Sequence, residues 1–251
     1  MIRETHDRLR PILQRRDYGF RWRGHEISRI EGLSDAVFAF AVTLLVVSLE
    51  APRRFDELTR MMHGFVSFGI CFAFLLMIWH AQYLYFRRYA LDDGVSFVLN
   101  AMLLFVVVFF IYPLKFLFTV LDNNLTNYHD LDSVGKAIVS MQTSDWRPLM
   151  LIYGAGFIAL YAIFALLYLH AYRMSDVLEL NPMEKYETRG VVQENILMIV
   201  IGTVAVALAL TGVPELSGMA FVLIMPAQTI LGVVHGRHRR RLVAEAEATS
   251  S

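Results

Sequence analysis

The sequence predicts an all-α integral membrane protein with six transmembrane helices and both termini in the cytoplasm. Three observations carry that expectation. The 251 residues are 56 % hydrophobic and only 18 % charged, with a mean hydropathy of +0.48, whereas soluble domains run at about 45–50 % and about 25 %. The apolar residues gather into six runs, each near the roughly 20 residues a helix needs to cross a bilayer. The basic residues fall unevenly between the connections: 17 on the side of the two termini and 5 on the other. Cytoplasmic loops are the ones enriched in Lys and Arg.

These observations divide the chain into a cytoplasmic Arg-rich segment (1–28), a six-helix membrane domain (29–236) and a cytoplasmic basic tail (237–251). Residues 1–28 show no short apolar stretch followed by a small-residue cleavage site. The first span is therefore expected to act as its own insertion signal. The 23 basic and 23 acidic residues cancel, so net charge gives no pointer to nucleic acid and no such partner is expected. The expected partners are the bilayer and other copies of the chain. The single cysteine, Cys71, lies in an apolar run. It permits no intrachain disulfide and no multi-cysteine metal site.

Span one is expected at about 30–50. It opens with Ser28-Arg29-Ile30-Glu31, a capping box that satisfies unpaired N–H groups at a helix start. Ser34 and Asp35 follow inside the helix. Arg29 and Asp35 are about 240° apart around it, so each needs partners from other helices or from water. Spans two and three are expected at about 62–86 and 94–120. His80 precedes Arg87 and Arg88 by about two turns, and Asn100 follows Asp92 and Asp93 by about two turns. Both then sit about 10 Å from the inner helix ends. Arg29, Ser34, Asp35, His80 and Asn100 are the expected interhelical polar network, because polar groups within spans are costly unless paired. In span three, Pro113 is expected to kink the helix and Lys115 to snorkel outward.

The connection from Asp122 to Trp146 is the longest polar one and is expected outside; it contains the triplet Asn124-Leu125-Thr126. Span four is expected at about 148–172, with Gly154 and Gly156 permitting close helix approach. Span five, at about 190–211, begins with Gln193, Glu194 and Asn195, which places its entry end in an interface or against protein. Span six, at about 215–235, is short and carries Pro226 and Gln228.

The first span carries a resemblance. Arg29-Ile-Glu-Gly-Leu-Ser-Asp35, followed by an apolar run from Ala36 to Leu45, resembles the Arg-x-x-x-Phe-Ser-Asp signature of the transmembrane protein 175 family of potassium channels. Trp79-His80, Asn100 and Tyr112-Pro113 resemble that family's second and third helices. The likeness is sharpest over 29–115 and departs at Leu33, where the family usually has Phe. It implies a homotetramer in a bacterial plasma membrane, since this chain holds one six-span unit. It also implies that helix 1 of each subunit lines a central pore, with apolar side chains as the filter. The matching positions are Phe40, then Thr43 or Leu44, then Val47. The family usually has Ile or Leu where Phe40 stands, and four Phe side chains around an axis would narrow the pore further.

The residues themselves reach part of this reading. No Thr-Val-Gly-Tyr-Gly segment is present, so a carbonyl-lined filter is not expected, whereas an apolar constriction can gate by dewetting. One weakly polar span per chain is too little for a water-filled pore, and assembly around an axis supplies the rest. The function expected is passive K⁺ conduction, with K⁺ only in transit and no resident metal or cofactor. Two other classes stay open. One is a secondary transporter or proton-coupled exchanger relaying through Asp35 and His80. The other is a non-conducting membrane protein that keeps the fold, for which the bulk of Phe40 argues. An enzyme is not expected, because no metalloprotease motif, intramembrane Asp pair or activated Ser is present.

Overall fold

A computed structural model describes residues 20–24, 26–47, 65–126 and 145–211, together with 55, 220, 224 and 226–229. Five long helices run through these segments: α1 (Arg29–Val47), α2 (Phe65–Tyr89), α3 (Gly94–Thr126), α4 (Trp146–Arg173) and α5 (Pro182–Leu210). Four stretches are long and apolar enough to cross a membrane, namely Phe65–Tyr89, Gly94–Leu117, Trp146–Arg173 and Pro182–Leu210. Among the described residues the regular structure is all helical, and its long apolar helices are those of an integral membrane protein. Of the sixth expected span, 215–235, residues 220, 224 and 226–229 are helical and the rest lies outside the described residues.

The helix ends follow local chemistry. The box at α1 forms: the Glu31 N–H donates to Ser28 Oγ at 3.1 Å, and the Ser28 N–H donates to Glu31 Oε1 at 3.3 Å. α2 stops at Ala90, whose φ of 49° is left-handed backbone that helices cannot continue. α3 continues past the expected edge to Thr126, so Asn124-Leu125-Thr126 falls on a helix end rather than in a loop. α5 begins at Pro182, well before the apolar run that located it. Asn181 caps it, accepting from the Glu184 N–H at 2.8 Å and donating its own N–H to Glu184 Oε2 at 3.0 Å. Pro182 at the first helical position forfeits an N–H that would be unpaired anyway. Gln193, Glu194 and Asn195 therefore stand inside a helix and not at its entry.

α1 packs against α2 and α3, α3 against α2 and α4, and α4 most extensively against α5. Small residues allow the α4 contacts. Gly156 faces the Phe110 ring of α3, and Gly154 faces Val206 of α5, with no room for a Cβ at either position. Pro113 interrupts the α3 ladder, and its carbonyl accepts a hydrogen bond from the Tyr153 hydroxyl of α4.

One end of the bundle is tied together by residues 20–24. The Arg23 and Gly24 N–H groups both donate to the Arg87 carbonyl at 3.1 Å, and Arg87 Nη1 donates back to the Gly24 carbonyl at 2.8 Å. A Cβ at Gly24 would lie 2.9 Å from the Phe86 carbonyl oxygen, so only glycine permits this approach. The entry of α1, the end of α2 and the start of α5 thus share one end of the molecule. Beneath them lies a buried aromatic cluster of Phe20, Tyr85, Phe86, Tyr89 and Tyr168.

Candidate functional site: helix α1 and its polar anchor

α1 presents two unlike faces. Ile30, Ser34, Phe38, Ala41 and Leu45 recur at helical spacing and are buried. The opposite face, with Leu33, Ala36, Phe40, Thr43 and Val46, is exposed. Phe40 is 55 % exposed. Thr43 satisfies its hydroxyl by donating to the Ala39 carbonyl at 2.9 Å. Leu44 stands at the edge between the two faces, half-buried and packed on the core. The Val47 side chain lies outside the described residues.

The buried face is anchored by a directed chain of hydrogen bonds through three helices. Gln82 of α2 donates through Nε2 to Asn100 Oδ1 of α3 at 3.1 Å. Asn100 donates through Nδ2 to Ser34 Oγ of α1 at 2.9 Å. Ser34 donates to the Ile30 carbonyl at 2.8 Å. All three side chains are at most 2 % exposed. Gln82 and Asn100 each lie about 10 Å from their helix ends, by the 1.5 Å rise per residue. Burial at that depth makes each unmade bond expensive.

Asp35 is outside this chain. It is exposed and accepts a 2.8 Å hydrogen bond from the Trp79 indole N–H of α2. Trp79 stacks on Tyr83 at 5.7 Å, with His80 on the same ring at 6.2 Å. His80 is exposed and is not brought into the Ser34–Asn100 chain; the reason is helical phase, because it is Gln82 that turns inward. Arg29 is also exposed, and its stripe of the helix is that of Phe40 and Thr43.

Charged contacts stiffen the end from which α1 departs. Arg23 Nη2 meets Glu184 Oε2 at 2.8 Å, and Glu184 also accepts from the Arg21 N–H at 2.8 Å. Arg87 approaches Glu31 at 3.9 Å and lies 5.3 Å over the Tyr83 ring. Asp93, just before α3, pairs with His170 Nε2 near the end of α4 at 3.0 Å. Burial alone would raise the Asp93 carboxyl, but the Ser96 side chain and the His170 ring hold it below its ordinary value. Among the described residues, no three His, Cys, Asp or Glu side chains gather as metal ligands would.

Sequence reasoning missed Gln82 and Glu184. A polar residue near the inner end of a span looks like ordinary interfacial polarity, so Gln82 gave no signal by itself. Glu184 did give one: Asn-Pro-x-Glu from Asn181 is a helix-start pattern of the same kind that located α1.

Comparison with known proteins decides the family. Residues 29–110, the stretch from α1 into α3, match the endosomal/lysosomal potassium channel TMEM175 family. A protein of Marivirga tractuosa named "Potassium channel" is 32 % identical over 243 residues, covering 90 % of this chain and 94 % of its own length. The chain belongs to the TMEM175 family. It is a bacterial-type member of this ion-channel family and is not an enzyme. The crystal structure of a variant of the potassium channel MtTMEM175, in complex with a nanobody–MBP fusion, superposes with a TM-score of 0.76. It is 33 % identical and covers 87 % of this chain and 97 % of that one. A lysosomal potassium-selective TMEM175 homologue from Chamaesiphon minutus superposes at 0.53, with 25 % identity over 82 % of this chain and 96 % of that one.

Proposed function

We propose that this chain is a potassium-permeable channel of the bacterial plasma membrane. In this reading four copies assemble around an axis, with both termini in the cytoplasm, and α1 of each lines the pore. Phe40, Thr43, Leu44 and Val47 form a side-chain filter, with no carbonyl loop and no cofactor.

One observation carries this reading: the two-faced character of α1. Thr43 follows Ser34 by nine positions, about 900° of rotation, so it lies diametrically opposite the buried anchor. Phe40 lies within about 60° of Thr43 on the same count. The face turned away from the protein carries Thr43 and Arg29 beside Phe40. Hydroxyl and charged groups are poorly suited to lipid tails and well suited to a water-filled axis. The printed names of the relatives, potassium channels, support potassium as the permeant ion. The core-facing Ser34–Asn100 contact supports Ser34 and Asn100 as an anchor, while Asp35 on Trp79 supports a separate outer contact. A relay between Asp35 and His80 gains no support, since the Asp35 carboxylate bonds Trp79 and the His80 ring lies on Tyr83.

The test is a bi-ionic reversal potential across planar bilayers, with purified oligomers, K⁺ on one side and Na⁺ on the other. A shift toward the K⁺ equilibrium potential is expected. Phe40→Ala should widen the constriction and change both conductance and reversal potential. Verified tetramers that pass no current across pH and voltage would overturn conduction and favour a repurposed member whose Phe40 rings plug the axis. An unchanged Phe40→Ala channel would remove that residue from the pore.

A further inference from the structure

The donor–acceptor order in the α1–α2–α3 chain runs from Gln82 through Asn100 and Ser34 to the Ile30 carbonyl. The Ser34 hydroxyl has a single proton, and it is spent on the Ile30 carbonyl. Ser34 Oγ can therefore only accept from Asn100. The Asn100 amide must then turn its NH₂ to α1 and its carbonyl to α2. That carbonyl needs a donor, and Gln82 Nε2 supplies it at 3.1 Å. With the Gln82 amide and the Ser34 hydroxyl as placed, exchanging the two ends of the Asn100 amide would set oxygen against a spent hydroxyl on one side and NH₂ against NH₂ on the other.

We propose that Gln82 is a positioning residue for permeation: by fixing the orientation of the Asn100 amide it sets the rotation of α1 about its own axis, and so the angle at which Phe40 and Thr43 are presented. This rests on the pore-lining reading of α1. Gln82 itself stands on α2, 2 % exposed, and touches neither Phe40 nor the outer face. It acts through Asn100 and Ser34. Ser34 is a well-placed lever, because it is opposite Thr43 and its neighbours on the buried face, Phe38, Ala41 and Leu45, are apolar, while the Asp35 bond to Trp79 at 2.8 Å holds α1 from its exposed side. Without the Gln82 donor, the Asn100 amide is free to turn, the Ser34 bond is no longer enforced, and α1 loses the contact that fixes the rotation of its buried face.

The test compares permeation with assembly. Gln82→Met keeps the volume and removes the donor. In purified, verified oligomers it should change single-channel conductance or the K⁺/Na⁺ permeability ratio by about threefold or more, the effect of losing one interhelical hydrogen bond. Gln82→Glu cannot donate when ionised and can donate when protonated. Its channels should approach wild type as the pH falls, with the wild type measured alongside. Should Gln82→Met fail to assemble, Gln82→Glu at low pH carries the comparison. A second readout is the thiol-reagent accessibility of Thr43→Cys in a Cys71→Ser background, which should fall when Gln82→Met is added. Gln82 variants that lose thermal stability yet conduct with wild-type conductance and selectivity would overturn the proposal and leave Gln82 a structural clamp. Phe40→Ala run in parallel separates the two failures. If it alters permeation while the Gln82 variants do not, positioning fails and the pore-lining reading stands. If neither alters it, the pore-lining reading fails.

Discussion

The Arg23 guanidinium and the Glu184 carboxylate meet at 2.8 Å although 161 positions separate them. The contact joins the segment entering α1 to the first turn of α5. Arg23 adds hydrogen bonds from Nε to the Leu178 carbonyl at 2.9 Å and from Nη2 to the Glu179 carbonyl at 3.3 Å. Glu184 is 2 % exposed, so the pair is a buried one. Its Coulomb attraction is offset by desolvation, and the larger effect appears when one partner is removed.

Arg23→Met should therefore destabilise the protein by about 3–5 kcal/mol, the cost of leaving a buried carboxylate uncompensated. The double variant Arg23→Met, Glu184→Met should be less costly than Arg23→Met alone. Unfolding monitored in detergent checks this. A double variant at least as unstable as the single would show that the pair is net stabilising in its own right.

Asp93 and His170 predict an acid limit. The Asp93 carboxyl is held below its ordinary value of 3.8, so its folded form binds fewer protons than its unfolded form. Its contribution is fully present above about pH 4 and fades as the pH falls through the lowered folded value. Thermal melts of wild type and Asp93→Asn should differ near neutrality and converge toward pH 3. A difference that persists undiminished at pH 3 would remove this pair as the cause. The carboxyl is partly exposed, so the difference is expected to be small.

Trp79 bonds Asp35 through its indole N–H, at 2.8 Å. Trp79→Phe keeps an aromatic ring for stacking on Tyr83 and removes the donor. A loss of about 0.5–1.5 kcal/mol in stability is expected. Asp35→Ala should add little on top of it, since both changes remove the same bond. Full additivity in a double-mutant cycle would show that the two residues do not interact.

Gly156 lies against the Phe110 ring with no space for a Cβ. Gly156→Ala should cost about 1–3 kcal/mol through overpacking, and Phe110→Leu should recover part of it. Unaltered stability of Gly156→Ala would mean that α3 and α4 separate more easily than their packing implies.

The elements were legible because apolarity of sufficient length is a one-dimensional property. Helices α1 to α5 each contain the apolar run that predicts them, although α3 and α5 extend beyond it, and Ser28 and Glu31 mark the start of α1. Ser34 and Asn100 were legible as polar residues within such runs. Partner choice was not legible. It depends on the phase of one helix against another, which a count along the chain does not contain. His80 and Gln82 are two positions apart and about 200° apart on α2, so a small uncertainty in phase exchanges which of them meets Asn100. The start of α5 was displaced for a related reason. Glu184 and Thr188 are polar in composition yet buried, Glu184 on Arg23 and Thr188 on the Tyr89 hydroxyl at 2.8 Å.

The clasp between Arg23 and Glu184 also orders events during synthesis. At about 5–20 residues per second, the ribosome delivers Glu184 some ten to thirty seconds after Arg23. Over that interval the segment entering α1 can bond Arg87 of α2, but the Arg23 guanidinium has no carboxylate to meet. The end of the bundle where α1 begins is therefore fully closed only once α5 has been made.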